Sequence, residues 1–135
     1  MRIFVDTNVI ISAILFPRTK IAEVFAVILQ RHQLIISNYV IDELKQVFTN
    51  KFADKLKILD KFLDTISYEL AEVNDPLDNT KYPQIRDECD LPILAGAIES
   101  KADVLITGDK DFEGIEVKGL EILKPATFIG RYRNE

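Results

Sequence analysis

Short β-branched and aromatic runs that alternate with amphipathic helical stretches predict a doubly wound α/β domain, in which a largely parallel sheet of four to five strands is flanked by helices. The length agrees with that class. At 135 residues and 47% hydrophobic content, the chain suits one core and leaves no room for a second, so residues 1–135 read as a single domain. No internal repeat, low-complexity tract or linker interrupts the alternation.

The elements follow in order. Arg2 to Asp6 (RIFVD) is a buried first strand that ends in a carboxylate. A short helical turn around Val9 to Leu15 comes next, and Pro17 separates it from a helix in which Ile21, Val24, Phe25, Ile28 and Leu29 recur at helical spacing. Leu34 to Ser37 is a second strand. Asn38 is the expected N-cap of a helix that carries Val40, Ile41, Leu44, Val47 and Phe48 and stops near Lys51. The next helix turns Leu56, Leu59, Phe62, Leu63 and Ile66 inward and keeps Lys55, Lys57 and Lys61 mostly in water. A weaker strand lies near Tyr68 to Val73. Asn74 to Glu88, with Pro76 and Pro83 and few apolar residues, reads as a loop long enough to be functional. Asp90 opens a helix with Leu91, Leu94, Ala95 and Ile98 inward, Val104 to Thr107 and Leu120 to Leu123 are strands, and Pro125 starts a terminal helix ending in Arg131-Tyr132-Arg133.

Composition bounds the function. The single cysteine, Cys89, excludes an internal disulfide, no N-terminal stretch has the pattern of a secretory leader, and no apolar run reaches the ~18 residues of a membrane span. A cytoplasmic protein with no membrane partner is the expectation. A formal net charge of −5 argues against attachment to nucleic acid by bulk positive charge, though not against a local basic rim.

Topology then gathers residues that sequence keeps apart. In a parallel sheet all strands end on one edge, where ligands usually bind. Asp6 and Asp109 end or follow strands, so both lie at that edge. Helices that leave or lead into parallel strands begin or start there too, which adds Glu43 and Asp90. At 100° per residue Glu43 lies between Val40, Ile41, Leu44 and Val47 and faces inward, whereas Asp42 faces water. Singly, each has a bland reading: a strand-end turn for Asp6, a solvated position for Glu43, an N-cap for Asp90, a polar turn for Gly108 to Asp111. Together they form a carboxylate cluster that cannot stay ionised unless a cation or raised pKa values relieve it. All-oxygen ligands favour Mg²⁺ or Mn²⁺ over zinc, and His32 and Cys89 cannot build a zinc site. Such ions are the usual apparatus of phosphodiester hydrolysis by water.

VDTNVIISA (Val5 to Ala13), the helix carrying Glu43, RDECDLPILAGAI (Arg86 to Ile98), LITGDKDF (Leu105 to Phe112) and LKPATFI (Leu123 to Ile129) together resemble a PIN domain, nearly end to end. The resemblance is to the branch of toxins from bacterial and archaeal toxin–antitoxin modules. It implies a PIN-like three-layer sandwich and a metal-dependent endoribonuclease with Mg²⁺ or Mn²⁺, in which Asp6, Glu43, Asp90 and Asp109 match the catalytic and metal-binding carboxylates. Thr7, Asn8 and Thr107 match neighbouring polar positions that orient ligands or water. Asp111 competes with Asp109 for the place nearer the metal, and Asp87 and Glu88 could supplement the site. Glu43 either binds metal or holds the attacking water. The implied partners are an RNA substrate, an antitoxin and a second copy of the chain in a homodimer. The alternatives are a housekeeping nuclease and a non-catalytic PIN-like module that binds RNA or protein. A haloacid-dehalogenase-type phosphatase would need aspartate where Asn8 stands, and no P-loop pattern occurs.

Overall fold

The computed structural model describes residues 1–133. Five strands, β1 (Arg2–Val5), β2 (Gln33–Ser37), β3 (Glu69–Ala71), β4 (Val104–Ile106) and β5 (Glu121–Leu123), form one sheet in the order β3-β2-β1-β4-β5, with every neighbouring pair parallel. In register, Ile3 lies opposite Leu34 on one side and Val104 on the other. Six α-helices flank the sheet among the described residues: α1 (Thr7–Leu15), α2 (Lys20–Arg31), α3 (Asn38–Lys51), α4 (Leu56–Thr65), α5 (Leu91–Glu99) and α6 (Pro125–Tyr132). The three central strands are apolar at consecutive positions because both faces are covered: Ile3 to Val5, Leu34 to Ile36 and Val104 to Ile106 are all buried. The edge strands are three residues long and expose Glu69 and Glu121, a short and charged ending that discourages further pairing.

The chain builds β1, β2 and β3 outward to one edge, then returns to the other side of β1 for β4 and β5. The strand order therefore reverses beside β1, and the Asp6 amide donates to Ile106 O at 2.9 Å across that reversal. In open α/β sheets such a switch point opens a crevice at the carboxyl ends of the strands.

Several boundaries differ from the sequence expectation for identifiable reasons. Asp6 lies outside β1, in extended conformation as the N-cap residue of α1. The N-cap of α3 is Ser37, whose Oγ accepts from Val40 N at 3.1 Å, and not Asn38. The Asn38 carboxamide instead grips the backbone of Val73 in both directions, accepting from its N at 2.7 Å and donating to its O at 3.2 Å, so that it pins the chain leaving β3. Within α4 only Leu59 is fully buried; Phe62 is half-buried with its ring edge-on to Phe25, centroids 6.0 Å apart. The expected loop from 74 to 88 contains a 3₁₀ turn at Asn79–Lys81, and a second turn, Glu88–Asp90, leads into α5. Helix α5 lies close against β1: a Cβ on Gly96 would come within 2.7 Å of the fully buried Phe4 ring. No described helix is long and apolar enough to cross a membrane.

Candidate active site

Asp6 follows β1 at the switch point and is buried, as are its neighbours Thr7 and Thr107. The Thr107 hydroxyl donates to Asp6 Oδ2 at 2.7 Å and accepts from the Asp109 backbone N–H at 3.1 Å. One threonine at the end of β4 thus fixes the first carboxylate and the turn that bears another. Asp109 in turn accepts from Asp111 N at 2.9 Å, which shapes the 3₁₀ turn Lys110–Phe112 and leaves Asp109 half-buried at the crevice. Glu43, on the first turns of α3, is half-buried while Asp42 beside it is exposed. Tyr39, one turn earlier, donates its hydroxyl to Glu43 Oε2 at 3.3 Å.

Asp90 occupies the N-cap position of α5 but makes no side-chain cap bond. The capping is done a turn earlier by Asp87, which accepts from Cys89 N at 2.9 Å, so the Asp90 carboxylate is left to face the cluster. Its Oδ2 is buried without a hydrogen-bond donor among the described residues. That is a costly state for an ionised oxygen, and a proton or a cation relieves it.

Electrostatics ties all four carboxylates together. Burial, above all, raises the Asp6 carboxyl above the usual aspartate range, with Glu43 and Asp109 adding to the rise and the Thr107 hydrogen bond opposing it. Burial also pushes Asp90 up to about 7, followed by the charge and hydrogen bonding of Asp109, then by Asp87 and Asp6. None of the leading influences on either group is a cationic side chain. The Tyr39 hydroxyl, raised to about 12 by burial and then by Glu43, Cys89 and Asp90, stays a donor at any physiological pH.

The structure therefore brings Glu43, Asp90 and Asp109 within electrostatic reach of Asp6, and Asp109 within reach of Asp90. Asp111 joins Asp90 in a second grouping: carboxylate oxygens of Asp87, Asp90 and Asp111 fall within 4.8 Å of one another. Thr7 is buried with no partner for its hydroxyl among the described residues, and exposed Asn8 shares a hollow of 320 Å³ with Asp6, Ser12 and Asp109. Glu88 is further out, in a cleft of 610 Å³ that contains none of the four carboxylates. Of the basic residues near the C-terminus and on α4, Arg131 pairs with Glu121 at 2.6 Å, Arg133 pairs with Glu23 at 2.8 Å, and Lys57 and Lys61 are exposed. Cys89 is exposed. Tyr39 is the residue that sequence reasoning missed; its signal was the four-residue spacing to Glu43.

A family model, PIN domain, matches residues 2–111. The chain belongs to the PIN domain family. Its fold is shared by a chain of VapBC2 from Rickettsia felis, solved bound to a DNA fragment from the promoter, at 20% identity and TM-score 0.68, with 92% of this chain and 98% of that one covered. A chain of DNA-bound VapBC from Salmonella typhimurium matches at 21% identity and TM-score 0.64 over 93% of this chain and 98% of that one. No curated protein sequence matches this PIN domain.

Proposed function

We propose that this PIN domain is a metal-dependent endoribonuclease and the toxin component of a toxin–antitoxin module. The observation that carries the reading is the convergence of four carboxylates, from four separate segments of the chain, on the sheet's switch point with no basic side chain among the leading influences on Asp6 or Asp90. A donor set of oxygens only, with the buried Asp90 Oδ2 lacking a donor, fits a hard divalent cation such as Mg²⁺ or Mn²⁺. When bound, that ion supplies polarisation of the scissile phosphate and a more acidic water.

The chain's own groups would do the rest. Asp6 and Asp90 are the proposed direct ligands. Thr107 holds Asp6 in one orientation, and Tyr39 holds Glu43 so that its free oxygen can take the metal or the proton of the attacking water. Asp109 would act directly or through water, with Asp111 and Asp87 extending the acidic rim beyond Asp90. The VapBC fold likeness supports an antitoxin partner and the resemblance of the sequence motifs implies a homodimer; size measurements on the co-expressed pair would check both.

The deciding experiment incubates the purified protein with mixed-sequence single-stranded RNA in Mg²⁺, Mn²⁺ or EDTA, beside Asp6→Asn and Asp90→Asn variants checked for folding. Cleavage is expected to need the metal and to fall by more than about a hundredfold in each variant. Metal-independent cleavage, or cleavage that survives both substitutions, would sink the reading; a folded wild type that binds RNA without cutting it would favour a non-catalytic module.

A further inference from the structure

We propose that the hollow beside Glu43, between the start of α3 and the 73–77 segment, is a base-recognition subsite that takes a guanine of single-stranded RNA flanking the scissile phosphate. This inference rests on the ribonuclease reading above. The hollow has a volume of 260 Å³ and is walled by Tyr39, Val73, Pro76, Leu77 and Pro92, with Asp42 and Asp75 at its rim. That volume is just under the range of about 300–1,000 Å³ typical of drug-sized ligands, which suits one planar ring system.

Three features select a base over other occupants. An aromatic ring and two proline rings offer flat apolar faces of the kind on which unstacked bases rest. The two rim carboxylates, both exposed, repel phosphate and so turn the backbone away from the hollow. The wall is also firm: Asn38 holds the backbone of Val73 by two hydrogen bonds, of 2.7 and 3.2 Å, in front of Pro76 and Leu77.

Position links the hollow to the chemistry. Tyr39 lines it and also donates to Glu43, Asp42 precedes Glu43 in the chain, and Pro92 lies two residues beyond Asp90. A base seated there belongs to a nucleotide next to the carboxylate cluster. The rim then chooses among bases. A carboxylate accepts hydrogen bonds and donates none, so it matches the adjacent N1–H and N2–H donors of guanine, while adenine and cytosine set an acceptor ring nitrogen beside their amine and uracil offers one donor between two carbonyls. Asp42 and Asp75 are the proposed specificity residues.

The test measures binding, and so is separate from turnover. In EDTA, the affinity of fluorescent pentanucleotides is compared by anisotropy: UUGUU, UUIUU with inosine lacking the N2 amino group, and UUUUU. The guanine pentamer is expected to bind roughly tenfold more tightly than the other two, and Asp42→Asn and Asp75→Asn to shrink that preference. Equal affinity for the three would overturn the proposal, as would a guanine preference unchanged in the double variant. A guanine preference from a protein that cleaves no RNA would leave the subsite standing and remove the nuclease, whereas cleavage without any preference would do the reverse.

Discussion

Thr107 shows how much can hang on one hydroxyl. It donates to the buried Asp6 and accepts the backbone N–H of Asp109, so it holds two carboxylate-bearing segments at once. Thr107→Val keeps the shape and removes both bonds. It is expected to cost about 1–3 kcal/mol in denaturant unfolding, and to weaken metal-dependent cleavage more than a surface substitution would. Asp90 makes a prediction of sign. Its folded pKa, about 7, lies above the value of roughly 3.9 in an unfolded chain. Between these values the folded state holds a proton that the unfolded state has released. The associated stability is therefore complete below about pH 4 and is lost as pH rises through about 7, and Asp6, raised in the same direction, adds to the trend. In EDTA the melting temperature of the wild type should fall across this window more steeply than that of Asp90→Asn; parallel curves would show that Asp90 does not carry the strain.

At the scale of elements, the cluster depends on how closely α5 approaches β1. Gly96 makes that approach possible, since a methyl group there would meet Phe4 at 2.7 Å. Gly96→Ala gains about 1 kcal/mol of helix propensity. It also overpacks against a fully buried ring, at a cost of about 1–3 kcal/mol, so net destabilisation is expected. Because α5 also carries Asp90, cleavage should suffer along with the thermal midpoint. The same elements explain what could be read in advance. Parallel strands and the helices between them place Asp6, Glu43, Asp90 and Asp109 at one edge by topology alone, and periodicity separates Glu43 from Asp42. The cap of α3 was harder, because Ser37 and Asn38 are adjacent and both are good capping residues; only the position of Val73 decides which is used. The exposure of Cys89 is likewise invisible in sequence, since it follows from a 3₁₀ turn that Asp87 closes. Tyr39 went unnoticed because a tyrosine next to a strand end looks like core until its hydroxyl finds Glu43.

For the whole molecule, a formal charge of −5 and a crevice of crowded carboxylates should make divalent cations stabilising. If Mg²⁺ or Mn²⁺ binds the folded state alone, a concentration a hundred times the dissociation constant adds about 2.7 kcal/mol. The gain should be larger at pH 8 than at pH 5.5, where protons compete for Asp90, and it should be lost in Asp90→Asn; calorimetric scans over a metal series would show it. A gain independent of pH and retained in the variant would place the ion elsewhere.

The bond between Asp6 and Thr107 joins residues 101 positions apart in the chain. On a ribosome adding about 5–20 residues per second, roughly five to twenty seconds separate the emergence of the first partner from that of the second. Through most of that interval the nascent chain has β1 and β2 but lacks β4, the strand that pairs with the other side of β1. Under the proposed ribonuclease reading, this ordering of strands would leave the growing chain without an assembled carboxylate cluster until synthesis is almost finished.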